Sequence, residues 1–291
     1  MMTAEPLPAA SPSTTTPAPN KPANAPVLVF DSGVGGLSIL NTIADSLPGL
    51  PLVFACDNGF FPYGTKTETE LVERVDAVLQ RLLTEIQPRL LVIACNTAST
   101  VALPRLRSRY TLPIVGVVPA IKPAAQQSRN KIIGLLATPA TVQRPYTDRL
   151  IQEFAADCTV IKVGSRELVQ LAEDKLRGAP VDTGQLQTIL APFFANPAQS
   201  PDTIVLGCTH FPLLHAELAA ASPVPVHWVD SGAAIARRVA ELLAGEPALS
   251  PAATPTARGP VYMTADTADA HRLWPALAAQ GFASLQFVTI D

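Results

Sequence analysis

The chain has 291 residues, 48% of them apolar and 15% charged, with a formal net charge of −3. So much apolar content excludes a largely unfolded chain, and the mild acidity lacks the basic surplus of nucleic-acid binders. No apolar run approaches the ~20 residues of a membrane helix, so the length implies one large domain or two small ones, each with a core.

Residues 1–26 are Pro, Ala, Ser and Thr with no apolar period, and read as a disordered tail. The opening MMTAEPLPAA has neither the basic lead nor the apolar stretch of an export signal, so a cytoplasmic protein with reduced cysteines is expected. The four cysteines, Cys56, Cys95, Cys158 and Cys208, form no Cys-x-x-Cys pair, so neither a zinc ribbon nor a thioredoxin-type site is indicated.

From there, short β-branched apolar runs recur at 27–30, 52–56, 90–94, 113–118, 131–136, 159–163, 203–206 and 226–229, with two more at 261–264 and 284–290. Several are apolar on both faces, as buried parallel strands are. Helical segments fall between them. The clearest covers 68–87, where Leu71, Val72, Val75, Leu79, Leu82, Leu83 and Ile86 keep the 3.6-residue period. Thr67 and Glu70 predict a capping box at its start, and Pro88 ends it. A second Pro/Ala-rich stretch, 247–260, reads as a surface loop. Strand–helix alternation predicts an α/β fold with parallel sheets.

A weak internal repeat says more. LLVIACNTAST at 90–100 resembles TIVLGCTHFPLL at 203–214, and LVFDSGVGG at 28–36 parallels IGLLATPATV at 133–142. The expected architecture is two pseudo-symmetric, doubly wound parallel-sheet domains with the active site between them. The first combines 27–119 with 230–291, the second is 120–229, and the chain crosses near 118–121 and 230. Each half puts one cysteine at the C-terminal end of a strand, where open α/β sheets bind ligands.

Cys95 and Cys208 each leave an apolar strand for a polar, helix-like start, where free N–H groups would lower a thiol's pKa. A buried core cysteine is the plain alternative. Two such thiols in one cleft suit a redox pair, a nucleophile with a spare, or two bases on opposite faces of one carbon. The pseudo-symmetry favours the last, one thiolate facing one thiol. Asp31 closes the first strand and His210 follows Cys208 by two. The one could be only a helix N-cap and the other only a structural histidine. Gly33, Gly35 and Gly36 suggest backbone approach to an anion, with Ser32 as a donor, but the spacing matches no nucleotide loop. Cys208, His210 and His215 lack a fourth zinc ligand nearby, and no lysine has a context that marks a Schiff base.

VFDSGVGGLSIL, DNGFFPYGTKT, VIACNTAST, IVGVVPAIKPA, LLATPATV and LGCTHFPLL follow one another between 29 and 214. Together they resemble the glutamate racemases of the aspartate/glutamate racemase superfamily. The resemblance implies cofactor-independent, two-base interconversion of L- and D-glutamate, supplying peptidoglycan synthesis, by a homodimer with no metal, nucleic-acid or membrane partner. It makes Cys95 and Cys208 the catalytic thiols, with Asp31 and His210 assisting. Ser32, Tyr63, Gly64, Asn96, Thr97 and Thr209 match substrate-binding positions, with Thr138 and Thr141 near them. The family often carries Cys-Pro ahead of its second-domain helix, where this chain has Gly164-Ser165 before LVQLAED. A racemase for aspartate or another amino acid, a non-catalytic binding protein on this fold and a thiol redox protein are the alternatives. The Cys-Thr-His sequence at 208–210 points to glutamate, by resemblance.

Overall fold

The computed structural model describes residues 25–244 and 258–290, so most of the predicted tail and late loop lie outside the described residues. The inner ends of both belong to the folded body. Ala25 is buried, and the Pro26 carbonyl accepts the Arg89 N–H at 2.9 Å. Gly259 donates to the Leu52 carbonyl at 3.1 Å. The ends of interior strands recruit these residues because their buried backbone groups need partners.

The strands are β1 Val27–Asp31, β2 Leu52–Cys56, β3 Leu90–Ile93, β4 Ile114–Gly116, β5 Ile132–Ala137, β6 Thr159–Gly164, β7 Thr203–Leu206, β8 His227–Val229, β9 Val261–Met263 and β10 Leu285–Phe287. They form two wholly parallel sheets, ordered β10-β9-β2-β1-β3-β4 and β6-β5-β7-β8. The order β2-β1-β3-β4 is repeated as β6-β5-β7-β8, which is the internal repeat in three dimensions. Only the first sheet extends past this unit, by β9 and β10.

Alternation along each strand builds four cores, one on each face of each sheet. Val27 and Val29 face the helices Leu37–Ser46 and Gly232–Leu243, while Leu28 and Phe30 face Glu68–Ile86 and Asn96–Arg109. In the second sheet Ile204 and Leu206 pack on Glu167–Leu176 and Thr183–Phe194, and Ile133 and Leu135 on Ile121–Gln127. All ten predicted runs became strands, five of them shorter by one to four residues. The edge strands β6, β8 and β10 are the exceptions in burial, with exposed positions rather than two buried faces.

The helix Glu68–Ile86 carries its predicted capping box. Thr67 Oγ1 accepts the Glu70 N–H at 3.4 Å, and Glu70 Oε2 accepts the Thr67 N–H at 3.1 Å. Gln87 ends it in the left-handed region, at φ 48°. Thr67→Ala should cost about 1 kcal/mol, read as a lower urea midpoint at unchanged slope.

Candidate active site

Cys95 stands two residues past the end of β3, and Cys208 two residues past the end of β7. The equivalent strands of the two sheets thus deliver one thiol each. Both are free, and both line a single cavity of about 340 Å³, the small end of ligand-site sizes. Asp31, Ser32, Tyr63, Gly64, Asn96, Thr97, Thr138, Thr141, Thr209 and His210 line it too, so the structure brings together every site residue expected from the sequence.

The two thiols differ in their surroundings. Cys95 holds the N-cap position of the helix Asn96–Arg109, as expected. Cys208 does not begin an α-helix. The donor to its carbonyl in an α-turn would be residue 212, which is proline and has no N–H. Phe211 donates instead, at 3.0 Å, and a 3₁₀ turn, Phe211–Leu214, follows. Nor does the helix N-terminus lower the Cys95 thiol. Burial pushes its pKa well up and the Asp31 charge pushes the same way, against the Ala98 N–H and Ser32. Ser32 Oγ lies 3.8 Å from Cys95 Sγ.

Asp31, at the end of β1, is buried. Its Oδ1 accepts the Ser32 N–H at 2.6 Å and its Oδ2 accepts the Thr209 hydroxyl at 2.8 Å. Burial raises its pKa, and opposition from His210, Thr209, Ser32 and Cys95 leaves a net rise.

His210 lies on the other side of this seam. Its Nδ1 is 3.8 Å from Cys208 Sγ, and its Nε2 is 2.9 Å from Glu173 Oε1. The same Glu173 oxygen accepts the Val34 N–H at 2.8 Å, while Oε2 accepts from Arg177 at 2.8 Å. Burial alone would lower His210's pKa, but its bonds to Cys208 and Glu173 carry it well above the usual histidine value. Burial opposes ionisation of Glu173, but His210, Val34 and Arg177 together hold its pKa below normal.

Sequence reading missed Glu173 and Arg177. A signal existed: in the helix Glu167–Leu176, Glu173 shares the buried face of Leu168, Val169 and Ala172. The same helix lines the cavity with Val169 and Gln170, although Gly164-Ser165 replaces the family's frequent Cys-Pro. Ser165 starts it by accepting the Leu168 N–H at 3.2 Å.

Two other expectations change. The carboxylate that the glycine-rich turn approaches is the protein's own, Glu173, through the Val34 N–H. A Cβ on Gly33 would collide with the Glu173 carboxylate, and one on Gly35 with His210 Nδ1. Tyr63 lines the cavity, but its hydroxyl proton is given to Asp57 Oδ2, at 2.9 Å. Among the described residues no group of three is placed to hold a metal, and His215 packs edge-on against Trp228. Asn96 keeps its buried Oδ1 without a protein partner. Pro62 borders the cavity, while Pro212 sits in the turn after His210.

Parallel sheets of one strand order, each sending a cysteine into a shared cavity, define a two-lobed α/β racemase. The chain belongs to the Asp/Glu/Hydantoin racemase family, whose model matches residues 36–239, and it is an isomerase. It is 53% identical over 269 residues to a glutamate racemase of Pectobacterium carotovorum, covering 92% of each chain. Against that of Salmonella typhimurium it is 51% identical over 271 residues, 93% of each. A crystal structure of Escherichia coli glutamate racemase in complex with L-glutamate and the activator UDP-MurNAc-Ala matches with a TM-score of 0.85 at 48% identity. That match covers 91% of this chain and 99% of that one.

Gly35→Ala should drive His210 off Cys208 and lower kcat/KM at least about 10-fold, about 1.4 kcal/mol, measured by steady-state racemisation. A near-normal thermal midpoint would separate this from unfolding.

Proposed function

We propose that the protein interconverts L- and D-glutamate with Cys95 and Cys208 as its two acid/base groups. The observation that carries this reading is the placement of the two thiols at matching positions of two matching sheets, on one cavity. A carbon held between them loses its proton to one thiolate and regains a proton from the other thiol on the opposite face. The sulfurs exchange roles at each turnover.

The neighbours fit that traffic. Asp31, within the Cys95 environment, has a pKa raised by burial, so its carboxylate is a stronger base than usual and suited to take up the Cys95 proton. His210, beside Cys208, has its pKa held well above the usual histidine value by its bonds to Cys208 and Glu173, which favours its protonated form. The substrate's charged groups meet the neutral Ser32, Asn96, Thr97, Thr138, Thr141, Thr209 and Gly64, with the cationic Arg166 lining the same cavity. The unpartnered Asn96 Oδ1 is an acceptor suited to an ammonium donor. Glutamate as substrate draws on the relatives' names and on the L-glutamate bound to the E. coli enzyme.

On this reading the domains divide as 27–119 with 230–291, and 120–229. The product D-glutamate feeds peptidoglycan synthesis in the cytoplasm, and the enzyme is a homodimer; these last points rest on the family resemblance.

D-glutamate incubated in D₂O should yield L-glutamate carrying deuterium at Cα. Cys95→Ser and Cys208→Ser should each abolish full turnover, and normal racemisation by either would sink the two-base assignment. Turnover of aspartate in place of glutamate would transfer the reading to that substrate. Protonated His210 is lost as pH rises through its raised pKa. Glu173→Gln removes the anion that raises it, so the basic limb of the pH–kcat/KM profile should move to lower pH, with kcat falling about 10-fold.

A further inference from the structure

The repeat between the two halves breaks at β2. Its counterpart β6 is a sheet edge, whereas β2 is covered by β9, a strand from the C-terminal segment. At the covered end stands Asp57, which is 0% exposed and touches neither thiol in the hydrogen bonds it makes. Arg74 grips it with two bonds, Nε to Oδ2 at 2.9 Å and Nη2 to Oδ1 at 2.8 Å. The Thr264 hydroxyl, just past β9, donates to Oδ1 at 2.6 Å, and the Tyr63 hydroxyl to Oδ2 at 2.9 Å. Four donors from three distant parts of the chain fill the carboxylate's acceptor sites.

Three of these bonds hold the carboxylate; the fourth spends it on a cavity wall. Tyr63 opens the 3₁₀ turn Tyr63–Thr65, all of which lines the cavity. A Cβ on Gly64 would meet nothing within 4 Å, so the turn borders open space there. The backbone N–H groups of Thr65 and Lys66 bond back to Pro62 and Tyr63 at 3.4 and 3.2 Å, and the Thr65 hydroxyl to the Pro62 carbonyl at 2.9 Å. These bonds are local to the turn, so the Tyr63 hydroxyl on Asp57 is what ties it to the sheet. The Asp57 backbone N–H also donates to the Asp31 carbonyl at 3.0 Å, which keys the cluster to the catalytic strand end.

We propose that Asp57, locked by Arg74 and Thr264, is a positioning residue that sets Tyr63 and with it the substrate-facing turn 63–65. It acts on substrate affinity rather than on proton transfer, because the thiols ride on β3 and β7, outside the cluster. Asparagine at 57 would turn an N–H₂ toward an Arg74 N–H whichever way its amide lies, since Arg74 bonds both carboxylate oxygens, so the lock fails through mispairing as well as lost charge. The inference rests on the glutamate racemase reading.

The test is a double-mutant cycle on the full-length protein: Asp57→Asn, Tyr63→Phe and the pair, with KM and kcat for D-glutamate from initial rates. Asp57→Asn should raise KM about 10-fold and change kcat less than about 3-fold. If Asp57 works through Tyr63, the pair raises KM no further than the worse single variant. An unchanged KM in Asp57→Asn, additive effects in the pair, or a fall confined to kcat overturns the proposal. Thr264→Val removes one donor at a half-buried position and stands in if Asp57→Asn does not fold. It should raise KM in the wild-type background and leave it unmoved in Tyr63→Phe; equal effects in both overturn the proposal. Wild-type protein that does not racemise glutamate refutes the functional reading itself, whereas an active wild type with unmoved variants refutes only the role of Asp57.

Discussion

The Glu173 carboxylate is the point on which both halves close. It is buried, and burying a lone carboxylate costs several kcal/mol unless it is fully paired. Here it is paired three ways, by His210 and Arg177 within the second half and by the Val34 N–H from the first. The Val34 bond needs the halves together, so the charge that orients His210 is best satisfied only in the closed arrangement. Gly33 and Gly35 are the steric condition for it, since any side chain there would occupy the space of Glu173 or His210. Thr209 adds a second stitch. Its hydroxyl donates to Asp31, and its carbonyl accepts the Ser38 hydroxyl at 2.8 Å.

This seam makes the two thiols inequivalent although the strands that carry them are equivalent. Cys95 faces a carboxylic group with a raised pKa, and Cys208 faces an imidazole whose protonated form is favoured. Water-poor surroundings enlarge both effects, because charge is poorly screened there. A symmetrical scaffold therefore brings two thiols to one cavity while giving each a different neighbour.

The strands, the capping box at Thr67 and the pairing of repeats were legible because they follow from local periodicity and short-range hydrogen bonds. The twelve expected site residues converge on one cavity because each sits at, or just beyond, a strand end or in a loop next to one, and parallel sheets gather those ends on one side. What was not legible involved partners distant in sequence. Glu173 and Arg177 look like the charged residues of an ordinary amphipathic helix until the fold turns them inward. The Tyr63 hydroxyl reads as a substrate donor until Asp57 claims it. The Cys95 thiol reads as acidified by a helix N-terminus until its burial is known.

By itself, then, the sequence determined the element types and the duplicated strand–cysteine plan, since these depend on hydrophobic period and on residues close along the chain, while most of the expected site residues came from the family resemblance of its motifs. The tertiary structure alone decided which groups the site residues face, how the thiols are tuned and which carboxylates act from behind them. Those properties depend on burial and on contacts such as Val34 with Glu173, 139 positions apart, where desolvation and Coulomb energy are set by distance in space.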